Sequence, residues 1–114
     1  MPRVVASAGI EPIAIAGTTA PNPHAWMSPV AAESYVETIR AALTDLDPQG
    51  APEFASNAAA YTAELRALAA ELTEAIDAVP ESSRVLVTCE GAFSYLARDL
   101  GLAEQYIWPV NAEQ

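Results

Sequence analysis

The sequence predicts an α/β fold, helix-rich, in which one long helix runs into a β-α-β unit of a parallel sheet. Three observations predict it. Apolar residues recur at steps of three and four over 32–46 and again over 54–79, the period of amphipathic helices. A short β-branched run, "RVLVTC" at 84–89, is followed by a glycine, a helical pattern and a second short apolar run. Breakers separate these segments: Asp47-Pro48-Gln49-Gly50, Pro80 and Gly101.

Taken in order, residues 3–16, "RVVASAGIEPIAIA", hold two short apolar runs around Gly9-Ile10-Glu11-Pro12. They are expected to be strand or extended segments flanking a turn. "GTTAPNPHA" (17–25) is expected to be a proline-bounded loop. Ser28-Pro29 then marks a helix start, a capping hydroxyl followed by proline at the first helical position. Ala32, Val36, Ile39, Leu43 and Leu46 form the stripe of that helix, four to five turns long. The longer helix runs from about Pro52 to Val79. Its stripe is Phe54, Ala58, Tyr61, Leu65, Leu68, Leu72, Ile76 and Val79.

At 1.5 Å per residue the second helix spans roughly 40 Å, long for a chain of 114 residues. It reads as a spine that contacts more protein than these residues supply. Arg84–Cys89 follows as a buried parallel-type strand. Phe93–Leu100 is a short helix with Gly101 placed to terminate it, and Tyr106-Ile107-Trp108 is a second strand limited by Pro109. Strand, helix and strand over about 25 residues form one βαβ unit, right-handed by the general rule. Two parallel strands do not make a stable sheet alone, so the chain is expected to stop before its fold is complete.

Composition excludes several functions. The net charge is −10, with five arginines and no lysine. Nucleic acid and anionic membrane surfaces both require basic patches, so the charge argues against either as a partner. No stretch reaches the roughly 20 apolar residues of a membrane span, and no signal-peptide pattern follows Met1-Pro2-Arg3. The single cysteine rules out an internal disulfide and a cysteine-based zinc cluster. Cys89 is expected to be a small buried filler.

Two residues carry candidate chemistry. Glu90 sits at the carboxyl end of the first strand, where open α/β sheets bind ligands, and Gly91 lets the backbone turn and approach closely. Either Glu90 binds a ligand or its charge supports the start of the next helix. His24, the one histidine, lies in the rigid "NPHAW" loop. It is either a ligand or a half-buried ring bonded to a backbone carbonyl. An enzyme reading would use His24 or Glu90 as acid–base and Cys89 as nucleophile, but no motif supports it. A third reading is a helical module that self-associates through its apolar stripes.

"PNPHAWMSP", "AAYTAELRAL" and "RVLVTCEGAFSYLARDLGLAEQYIWPVNAEQ" resemble the metal-binding solute receptors of ABC transporters, more narrowly the manganese/iron receptors. "GIEPIAI" also fits, and the resemblance runs from about Arg3 to Gln114. It implies two α/β lobes joined by one long helix, with a metal held between the lobes by four side chains. His24 falls on the second histidine ligand and Glu90 on the glutamate that opens the C-terminal lobe. The first histidine falls upstream of this chain and an aspartate falls downstream.

By the same resemblance, 1–51 is the end of the N-terminal lobe, 52–80 the connecting helix and 81–114 the start of the C-terminal lobe. A carboxylate at Glu90, where zinc-preferring members carry histidine, favours Mn²⁺ over Zn²⁺ or Fe²⁺. The implied partner is a membrane permease. The implied location is the periplasm, or the outer face of the membrane through a lipid anchor. No catalysis is implied.

Overall fold

The computed structural model describes residues 3–110. Expectations resting on Met1 and Pro2, and on the "NAEQ" end of the last motif, lie outside it. Three α-helices and two strands follow in order: α1 (Pro29–Leu46), α2 (Ala51–Asp77), β1 (Val85–Glu90), α3 (Ser94–Leu100) and β2 (Ala103–Trp108). Single 3-10 turns occupy Ala25–Met27, Pro48–Gly50 and Glu81–Ser83.

The start of α1 is as the sequence dictates. Ser28 caps it, its side chain accepting from the Ala31 N–H, and proline follows within the first turn. Asp47 ends it and caps the next turn through the Gln49 N–H. α1 and α2 pack side by side across that short connection, and Arg66 Nε donates to Glu33 Oε2 between them at 2.9 Å. α2 has 27 residues, which is about 40 Å of helix.

Its inward face differs from the expected stripe. Phe54, Ala58, Thr62, Leu65, Ala69, Leu72, Ile76 and Val79 are the shielded positions. Tyr61 and Leu68 stand exposed, Tyr61 at 53%. The two series share one period and differ at two places, Thr62 shielded in place of Tyr61 and Ala69 in place of Leu68. Tyr61 is therefore not a core residue, whereas Tyr35 is packed against the core and Phe54 is half-buried.

β1 and β2 pair in parallel, Val85 opposite Ala103, Thr88 opposite Tyr106 and Glu90 opposite Trp108. Gly101 ends α3 in the left-handed region at φ 65°, a conformation that costs other residues a Cβ clash. β1 is not the fully buried strand its composition predicts. Side chains alternate across the sheet, and Val85, Val87 and Cys89 fall on an open face, Val87 at 73% exposure. Cys89 is thus exposed rather than a buried filler.

Residues 3–16 also depart from expectation. They form hydrogen-bonded turns, Ala8 N–H to Val5 O and Ile10 N–H to Ser7 O. Their one strand-like feature is an isolated antiparallel bridge, Ala14 to Pro21. That bridge is made by Ile15 N–H to Ala20 O and Asn22 N–H to Ile13 O, and it is not continued into a strand.

The core lies where this loop, the start of α1 and α3 meet. Ala25, Ala31 and Tyr95 are buried there, with Ile10, Ile13 and Tyr35 packed against them. The centre of the molecule therefore holds the N-terminal loop against the β-α-β unit. Among the described residues no helix is long and apolar enough to cross a membrane.

Candidate metal centre

His24 caps the 3-10 turn Ala25–Met27 and is half-buried. The Trp26 ring is 6.4 Å away, tilted by 50°, and is largely exposed. Pro23 fixes one backbone torsion just before the histidine. The ring itself is held by Asn22. Asn22 Oδ1 accepts from the His24 backbone N–H at 3.0 Å and lies 2.9 Å from His24 Nδ1.

Glu90 is the last residue of β1 and is half-buried. Its carbonyl accepts from Thr88 Oγ1 at 2.8 Å and from the Ala92 N–H at 2.8 Å, which shapes the turn out of the strand. Gly91 follows, and its N–H lies 2.5 Å from the Pro109 carbonyl. A Cβ on Gly91 would run into that carbonyl. The glycine is needed because this turn meets the end of β2.

The two regions are joined by one side chain. Asn22 Nδ2 donates to the Gly91 carbonyl at 2.8 Å, so the amide that holds the His24 ring also holds the residue after Glu90. Other contacts reinforce the seam. Tyr95 Oη donates to the Asn22 carbonyl at 2.8 Å and accepts the Ile13 N–H at 3.1 Å. Ser28 Oγ donates to Asp99 Oδ2 at 2.5 Å. Arg98 donates to Asp99 Oδ1 at 2.8 Å and lies 5.4 Å from the centroid of the Tyr95 ring. That carboxylate raises the Arg98 pKa above the ordinary guanidinium value, against a smaller cost of burial. Burial, with the nearby Tyr95, likewise pushes the Tyr35 hydroxyl up.

Glu104 of β2 supports the start of α3. Its Oε1 accepts the Phe93 N–H at 3.3 Å and its Oε2 the Ser94 hydroxyl at 2.6 Å. The acid expected to give such support is Glu90. Asn22, Tyr95 and Glu104 are not among the expected residues. An Asn two residues before a chain N–H is an Asx-turn signal, so Asn22 was detectable. The long-range partners of Tyr95 and Glu104 were not.

His24 carries nitrogen donors and Glu90 oxygen donors. Among the described residues no group of three or more His, Cys, Asp or Glu side chains is gathered as a metal site.

Over residues 1–114 the chain matches the family described as zinc-uptake complex component A, periplasmic. It is 49% identical over 117 residues to the iron-binding protein YfeA of Yersinia pestis, covering 100% of this chain and 38% of that protein. It is 33% identical over 111 residues to the manganese ABC transporter substrate-binding lipoprotein PsaA of Streptococcus pneumoniae, covering 95% of this chain and 36% of that protein. A Mn-bound periplasmic metal binding protein from Candidatus Liberibacter asiaticus superposes with a TM-score of 0.88 at 40% identity. That match covers 97% of this chain and 42% of the other. The chain spans less than half the length of each of these relatives.

Proposed function

This chain belongs to the periplasmic component A family of zinc-uptake complexes, the substrate-binding proteins of metal ABC transporters, and from that premise we propose that His24 and Glu90 are two of the side chains that hold its cargo, a divalent cation. Members of the family are substrate-binding transport components and not enzymes, so no bond-making role is sought for Cys89. The receptor captures the cation between two lobes and delivers it to a membrane permease from the periplasmic or outer face. In this reading 1–51 ends the first lobe, 52–80 is the connecting helix and 81–114 opens the second lobe.

One observation carries the reading. The buried Asn22 amide bonds both to the His24 ring and to the carbonyl beside Glu90, tying the two candidate ligands into one structure. The donor chemistry points to the metal. An imidazole with a carboxylate is a harder set than two imidazoles, which favours Mn²⁺ or Fe²⁺ over Zn²⁺. The relatives' names include iron, manganese and zinc, and Mn²⁺ is the choice the carboxylate supports. Zn²⁺ still binds such donors more tightly in absolute terms, so preference has to be read by competition.

The test is a Mn²⁺ titration followed by the electron paramagnetic resonance signal of the free ion. His24→Ala and Glu90→Ala should each weaken binding at least about tenfold, or 1.4 kcal/mol. Unchanged affinity in both variants would sink the proposal. Glu90→His should move a Zn²⁺/Mn²⁺ competition toward zinc, and an unmoved ratio would remove Glu90 from the ligand set.

A further inference from the structure

Resting on the reading of His24 as a ligand, we propose that Asn22 is a positioning residue. It holds the His24 ring in the Nδ1–H form, so that Nε2 is the nitrogen left to bind a cation, and it fixes that ring relative to the turn after Glu90.

The amide has one allowed orientation. The Gly91 carbonyl can only accept, so the group 2.8 Å from it is Nδ2. The His24 backbone N–H can only donate, so the group 3.0 Å from it is Oδ1. Oδ1 has no hydrogen to give. The same oxygen lies 2.9 Å from His24 Nδ1, and that contact is a hydrogen bond only when Nδ1 carries the proton. A neutral imidazole protonated at Nδ1 has its lone pair at Nε2. Metal-binding histidines are oriented in the same way, by an acceptor at the nitrogen that faces away from the metal.

The residue is too well anchored to relax away. Asn22 is 4% exposed. Its N–H donates to the Ile13 carbonyl at 2.7 Å and its own carbonyl accepts from Tyr95 Oη at 2.8 Å. Main chain and amide are thus both held, and Pro23 stiffens the step from Asn22 to the histidine. Displacing the turn after Glu90 would have to break the Nδ2 bond or carry the histidine loop with it.

His24 is the one histidine of the sequence, so its two ring nitrogens give assignable signals in a ¹⁵N nuclear magnetic resonance spectrum. At about pH 8.5, where an imidazole is neutral, the metal-free chain should show a protonated Nδ1 and an unprotonated Nε2. The opposite pattern overturns the proposal. Asn22→Asp keeps the acceptor and should keep the Nδ1–H ring, whereas Asn22→Ala should lose it. An unchanged ring in Asn22→Ala, or an Nε2–H ring in Asn22→Asp, overturns the proposal. If Asn22→Ala does not fold, the unsubstituted chain and Asn22→Asp still decide the matter.

Zn²⁺, which leaves the spectrum readable, is then titrated into the chain. Its apparent affinity should fall about 10- to 100-fold in Asn22→Ala, and equal affinity overturns the role. A ring in the Nδ1–H form whose Nε2 signal ignores Zn²⁺ refutes His24 as a ligand. An Nε2–H ring refutes Asn22 alone.

Discussion

Tyr95 shows how much of this molecule rests on single side chains. It is 2% exposed, and its hydroxyl serves two chain segments, donating to the Asn22 carbonyl and accepting the Ile13 N–H. Removing the hydroxyl leaves the ring to fill the core but strands both backbone groups. A stranded buried polar group costs about 1–3 kcal/mol. Tyr95→Phe is therefore expected to lower unfolding stability by about that amount in urea titration, and a loss under about 0.5 kcal/mol would show that water replaces the hydroxyl. Residue types in the sequence pointed to His24 and Glu90, because an imidazole in a rigid loop and a carboxylate at a strand end are chemically conspicuous. Asn22, which holds the His24 ring, carries a local Asx-turn signal, but the longer-range contacts are illegible. Asn22 bonds to Gly91 across 69 residues and Tyr95 to Ile13 across 82, and no local pattern encodes such distances. Cys89 was misjudged for a related reason. Its burial depended on a covering layer that the described residues do not supply.

Elements were legible where local chemistry decides them. Ser28-Pro29 fixed the start of α1, and Gly101 fixed the end of α3. The 3–16 segment was not legible, because apolar residues make a strand only when another strand accepts their ladder. α2 carries an unfavourable feature that its length conceals. Its last turn contains no basic residue, while Glu71, Glu74 and Asp77 are spaced three apart on one side. Like charges at that spacing repel, and acids near a helix C-terminus oppose its dipole. Asp77 is relieved by Arg84, whose Nη1 lies 3.2 Å from its Oδ1. Glu74 is exposed, so Glu74→Lys should replace two repulsions with two attractions and set a cation against the dipole. The expected gain is about 0.5–1 kcal/mol at low salt, visible as a higher thermal midpoint. No gain would mean that the end of α2 is frayed and its charges are already solvated.

The same imbalance extends to the whole molecule. The net charge is −10, and among the described residues the ion pairs Arg40–Glu37, Arg66–Glu33, Arg84–Asp77 and Arg98–Asp99 involve four of the five arginines. In two of these pairs, Arg40–Glu37 and Arg84–Asp77, the carboxylate is largely exposed, and in Arg66–Glu33 the arginine is; such pairs contribute at most about 1 kcal/mol each. The chain carries fifteen acidic residues against these five arginines, so acid is in large surplus. The molecule measures 51 × 38 × 18 Å, so a screening length of roughly 30 Å at 0.01 M salt reaches across much of it, whereas one of roughly 8 Å at 0.15 M does not. Two effects then compete as sodium chloride is added: screening weakens the few attractions and also weakens the many repulsions. The repulsions are more numerous and long-ranged, and the attractions are short contacts that salt reaches less well. The thermal midpoint of the metal-free chain should therefore rise by roughly 4 °C or more between 0.01 and 0.15 M, equivalent to about 1 kcal/mol. A falling midpoint would mean that the arginine pairs outweigh the surplus of acid. The surplus would then cost the fold little, and the acidic surface would have to be explained by the cation it attracts.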